Sequence, residues 1–84
     1  MDNSKDNNAK TFARLAREDI NIFSVHREWN TDTWVVEYEY GWQPDAHKTK
    51  WTKAVYIMES PASLGELLAH VLQEVRVIKE ELGN

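Results

Sequence analysis

The sequence contains no cysteine, only 2 prolines and only 3 glycines among its 84 residues. Without cysteine there is neither a disulfide framework nor a thiolate zinc site, the usual supports of a small secreted scaffold, so the chain reads as cytoplasmic. So few glycines leave no phosphate-cradling loop, and no serine stands in a G-x-S-x-G elbow. No apolar run approaches the ~18 residues of a membrane span. The opening MDNSKDNN lacks the apolar stretch of a signal peptide and has almost nothing to bury, so residues 1–8 are expected to form a disordered polar tail. Positive charge is also scarce: Lys and Arg number 10 against 14 Asp and Glu, a net charge of −4 that disfavours a general nucleic-acid binder.

A chain of this length has room for one hydrophobic core. It buries roughly 60–65% of its unfolded surface, so packing, self-association or a partner must supplement a marginal stability. Residues 9–84 are accordingly read as a single α+β domain.

After Asn8, a candidate cap, the spacing of Phe12, Leu15 and Ala16 predicts a short helix that leans on something larger. The run Ile20 to Trp29 is rich in β-branched and aromatic residues and reads as a strand, with Phe23 and Val25 among its core candidates. Asn30, Thr31 and Asp32 are turn formers. Beyond them Trp34, Val36, Tyr38, Tyr40 and Trp42 alternate with smaller or charged residues, which sets five large side chains on one face and Glu37 and Glu39 on the other. Pro44 is expected to end that strand, leaving Gln43–Thr49 as a loop. A third strand follows over Lys50 to Met58. Either Val55 and Ile57 or Ala54, Tyr56 and Met58 face its core, because both faces are apolar.

Ser60 before Pro61 is one candidate helix start, and Ser63 with Glu66 fits a capping box one turn later. Leu64, Leu67, Leu68, Val71, Leu72, Val75, Ile78 and Leu82 then form one stripe, and Gly83 supplies a stop. The predicted fold is a two-layer α+β sandwich of order α-β-β-β-α, a three-stranded antiparallel sheet packed by a long C-terminal helix.

Chemistry-bearing residues are sparse. His26, His47 and His70 stand in no motif. His26-x-Glu28 and Asp45-x-His47 each offer two ligands where a zinc site needs three or four, so neither a metal nor a cofactor is expected. Glu37 and Glu39 lie about 6.7 Å apart along their strand. Cross-strand pairing with Arg27 and Lys53 is the ordinary reason for such a pair, and no enzymatic activity is expected.

Aromatic content is the compositional oddity, with 4 tryptophans and 3 tyrosines. A small core does not hold all of them easily, and rings left at a surface are typical interface anchors. Val77 falls outside the helical stripe, which suits a stray surface valine or a contact between copies. The segment holding Lys48, Lys50, Trp51 and Lys53 could touch phosphate while its indole stacks on a base.

The order helix, three strands, helix resembles that of the double-stranded RNA-binding domain. Asn30-Thr31-Asp32 and Ser60-Pro61-Ala62-Ser63 stand where that family carries its phosphate-gripping segments, so the resemblance implies topology and not RNA binding. In size, acidity and lack of catalytic motifs the chain also resembles the small inhibitors and regulators encoded by bacteriophages and mobile elements, anti-CRISPR proteins among them. The expected function is therefore a non-enzymatic domain that binds another protein, in its concrete form an inhibitor or regulator of a nucleic-acid enzyme. Glu37, Glu39, Glu74 and Glu81 are its candidate phosphate surrogates, and Val77 is a further contact. A weak nucleic-acid binder working through Lys48, Lys50, Trp51 and Lys53 and a homodimeric structural subunit are the alternatives. No membrane partner is expected.

Overall fold

Large side chains at every second position of the second strand give it one face to bury, and the leucine-rich helix supplies an apolar stripe to cover it. The computed structural model, which describes residues 5–83, has that arrangement. Helix α1 (Lys5–Arg17) is followed by strands β1 (Ile20–Arg27), β2 (Thr33–Asp45) and β3 (Lys48–Glu59), and then by helix α2 (Leu64–Glu81). The sheet is antiparallel with β2 in the centre and β1 and β3 at its two edges. Among the described residues no helix is long and apolar enough to cross a membrane.

Val36, Tyr38 and Tyr40 of β2 share a core with Leu67, Leu68, Val71, Leu72 and Val75 of α2, and Trp34 and Trp42 pack partly buried at its margins. Burial pushes the Tyr38 phenol up to about 12, with the Glu74 carboxylate adding to the shift. Ala54, Tyr56 and Met58 of β3 face this core, which settles the register that its sequence left open. Val55 and Ile57 therefore point the other way.

Several boundaries differ from the sequence reading, each for a local reason. Helix α1 begins at Lys5 rather than after Asn8; the remainder of the expected tail, residues 1–4, lies outside the described residues. Of its apolar stripe only Leu15 is buried, while Phe12 and Ala16 are exposed, because one narrow contact suffices to seat the helix beside α2. Strand β2 runs through Pro44 to Asp45, so the connection to β3 shrinks to Ala46 and His47. The ladder is irregular between Trp42 and Asp45, and at such a bulge a proline costs no ladder hydrogen bond.

Helix α2 is capped by Ser63, whose hydroxyl accepts from the Glu66 N–H at 3.0 Å, while the Glu66 carboxylate accepts from the Ala62 N–H at 3.2 Å. Ser60 is not the cap. It takes a left-handed φ of 50° and donates its N–H to the Asp32 carbonyl at 2.8 Å, which extends the pairing of β2 with β3 past the end of the strand.

The two helices are joined by polar contacts at the α1–β1 turn. Arg76 donates to both carboxylate oxygens of Glu18, at 2.9 and 2.7 Å, and Lys79 donates to the Glu18 carbonyl at 2.8 Å. The Arg76 guanidinium thereby holds the Glu18 carboxyl below its ordinary value of 4.5. Such a pair at the surface contributes little to stability, because solvent screens it.

Because this acid is strengthened on folding, its contribution is present above pH 4.5 and disappears as the pH falls through the lowered folded value. Glu18→Gln is expected to lower stability at pH 7 and to lower it less at pH 3. Urea midpoints at the two pH values measure this, and an equal loss at both would remove the ion pair as the cause. In the core, Leu68→Ala is expected to cost about 2–5 kcal/mol in the same assay, since the side chain is completely buried. A loss below about 1 kcal/mol would show that α2 is not seated on the sheet.

Candidate functional site

With both helices drawn to one side by the core, the other face of the sheet carries no covering element among the described residues. A sheet face left to solvent normally carries polar side chains. This one exposes Phe23 at 54%, Trp51 at 45%, Val55 at 58% and Ile57 at 62%.

Phe23 reaches this face through a break in β1. Ile20, Ile22 and Val25 all pack at the core, yet Ile22 and Val25 are three positions apart and strict alternation cannot place both on one side. The strand resolves the conflict with a bulge. Ile22 is paired with Tyr38 and Ser24 with Glu37, leaving Phe23 as the extra residue, turned outward instead of into the core position expected for it.

Strand β2 contributes Val35, Glu37, Glu39 and Gly41 to the open face. Val35 lies between His26 and Ile57 in the ladder and is itself only 6% exposed. Glu37 lies between Ser24 and Val55, and Glu39 between Asn21 and Lys53. Asn21 donates its side-chain amide to Glu39 at 3.1 Å. Lys53 extends across the central strand, its ammonium 6.0 Å from the centre of the Phe23 ring, at the outer range of a cation–π contact. Between Phe23 and Val55 lies a shallow groove of 410 Å³ that is floored by Tyr38 and Ala54 and edged by Glu37 and Lys53.

The absence of a side chain at Gly41 shapes the far end of this surface. A Cβ there would stand 3.1 Å from the Trp51 ring and 3.1 Å from the Thr49 methyl, so the indole lies against bare backbone. This is a use of glycine for close approach. It holds one ring edge down and leaves the rest to solvent.

The acidic candidates fall on two opposite layers. Glu37 and Glu39 belong to the open sheet face, whereas Glu74, Val77 and Glu81 lie on the exposed side of α2. Val77 is 41% exposed. No flat partner spans both sets at once.

The basic segment is divided in the same way, because successive residues of a strand point to opposite sides. Trp51 and Lys53 share the open face. Lys48 and Lys50 share the other, where the Lys50 ammonium lies 5.7 Å from the Trp42 ring. Trp42 donates its indole N–H to Thr52 at 3.1 Å.

The histidines remain apart. His26 shares a 3.1 Å hydrogen bond with Ser24, and His70 lies against Tyr56, 6.2 Å between ring centres, with a 3.4 Å contact to its hydroxyl. The backbone N–H of His47 donates to the Asp45 carboxylate and closes the hairpin turn. Among the described residues no three His, Asp or Glu side chains gather in a way that could hold a metal ion.

Comparison of the chain with protein-family models, with curated proteins and with solved structures finds no significant match to any of them. The geometry of the open face therefore carries the functional reading.

If Val55 and Ile57 serve the surface and not the fold, replacing both with threonine keeps their β-branched shape and puts a hydroxyl in place of an exposed methyl at one and an exposed ethyl at the other. The double variant is expected to retain stability within about 0.5 kcal/mol per site by urea unfolding. A loss of several kcal/mol would mean that these side chains belong to a core.

Proposed function

We propose that this chain is a small protein-binding domain whose interface is the open face of the sheet, with Phe23, Val55 and Ile57 as apolar anchors and Glu37 and Glu39 as charged specificity groups. The observation that carries this reading is the cluster of large apolar side chains on a face that the fold leaves uncovered. Isolated exposed apolar residues need no explanation, but a contiguous group flanked by charge is the ordinary composition of a binding site. The groove beside Phe23 and Val55 adds a recess for an inserted side chain.

Within this reading the concrete form proposed is a non-enzymatic inhibitor or regulator of a nucleic-acid enzyme. Carboxylates next to apolar anchors suit a basic groove with an apolar rim. Glu37 and Glu39 can take the place of phosphates there while the aliphatic side chains supply contact area. The acids of α2 play no part in that contact, since they face the opposite way.

The test is affinity capture from the producing cell with the full chain as bait, read by quantitative mass spectrometry. Ile57→Lys places a charge in the middle of the patch and is expected to reduce recovery of specific partners at least tenfold. The pair Glu74→Lys with Glu81→Lys is expected to leave recovery unchanged. Partners that survive the first change and vanish with the second would move the interface to α2.

A further inference from the structure

The two edges of the sheet are unequal. Strand β1 is short, interrupted by the bulge at Phe23, and ends in His26 and Arg27. Bulges and charges are the standard protections of an edge against pairing with another chain. Strand β3 carries Lys48, Lys50 and Lys53 in its first half and Glu59 at its end, but it has neither a bulge nor a proline of its own, and Ala54 to Met58 is without charge. It runs for 12 residues from Lys48 to Glu59, and the irregularity beside it belongs to β2, where Gln43 and Pro44 oppose the single Thr49. Among the described residues no strand lies beside its outer side, which leaves a row of backbone donors and acceptors there.

We propose that β3 pairs with the β3 of a second copy of this chain, antiparallel about a two-fold axis through Tyr56, joining two sheets into one of six strands. The inference concerns the edge of the sheet and stands whether or not its open face binds a further protein. Charge selects the occupant and the register. A two-fold axis perpendicular to the sheet keeps each residue on its own face, so the numbers of two directly opposed residues must add to an even sum. Glu59 is the sole acid of β3, and of its three lysines only Lys53 shares a face with it. Only one register sets Lys53 opposite Glu59 of the second copy; to meet it the Lys53 ammonium, 6.0 Å from the Phe23 ring in the single copy, turns outward from β2 to the seam. That register also sets Val55 opposite the second copy's Ile57, and Tyr56 opposite its own symmetry mate.

Moving the strands by two residues in either direction breaks both matches. Lys53 then opposes Ile57, or Val55 opposes Glu59. On the helix side of the seam, Val77 lies two turns beyond His70 on the same stripe of α2. That stripe is turned towards β3, because His70 touches Tyr56, while Arg76 and Lys79 reach the α1 side at Glu18. The half-exposed valine thus lies on the β3 side of the helix, and on the open face the apolar patches of two copies meet through Val55 and Ile57.

The register makes a charge exchange decisive. In light scattering at high protein concentration the unaltered chain is expected at about 20 kDa, twice the 9.8 kDa of one copy. Lys53→Glu alone opposes two acids, and Glu59→Lys alone opposes two lysines, so each variant is expected at the mass of one copy, with its fold checked by circular dichroism. Mixing the two variants restores both opposite-charge pairs and is expected to restore the dimer. So does combining both changes in one chain.

A strict monomer in the unaltered protein overturns the proposal. A dimer indifferent to both single changes overturns it equally, by placing the contact on another surface. The open-face reading is judged separately. Partner capture that is abolished by Ile57→Lys in a chain that never dimerises would end the pairing proposal and leave the binding surface standing.

Discussion

Everything in this molecule depends on the contact between the buried side of β2 and the apolar stripe of α2. Val36, Leu67, Leu68 and Val71 are fully excluded from solvent, and Tyr38 and Val75 nearly so. In a chain this small no second core can compensate if that contact is lost. The same contact decides function by exclusion. Each strand has two sides, and once α2 claims one of them for the whole sheet, whatever the strands carry on the other side is presented outward.

The layout was legible because the signals for it were long. Nine residues of alternation in β2 and eight apolar positions at helical spacing in α2 each admit one interpretation. The Ser63 and Glu66 pair was readable as a capping box, although Ser60 and Pro61 offered a competing start that the left-handed backbone at Ser60 rules out. The third strand was ambiguous because Val55 and Ile57 are as apolar as Tyr56 and Met58. Alternation does not say which side is wet when neither side is polar.

The candidate surface was less legible for a related reason. Its residues look like core residues, Phe23 among them. The signal that finds it is the spacing of Ile20, Ile22 and Val25, which no regular strand satisfies. A strand that must bury both Ile22 and Val25 has to bulge between them, and the bulge turns Phe23 out. Glu37 and Glu39 were placed correctly on the face away from the core. That Glu74 and Glu81 lie on the far side of the molecule follows only once the helix is known to cover the opposite face of the sheet.

A one-sided sandwich makes one claim above the others: Val55 and Ile57 are in water while Val36, Leu68 and Val71 are not. Edge pairing between copies leaves the open face uncovered, so association does not obscure the comparison. The direct measurement is methyl NMR with a soluble nitroxide added to the full chain. The Val55 and Ile57 methyl signals should broaden strongly while those of Val36, Leu68 and Val71 stay sharp. If Val55 and Ile57 stay sharp and Leu68 broadens, the helix lies on the other face of the sheet and the surface described here does not exist.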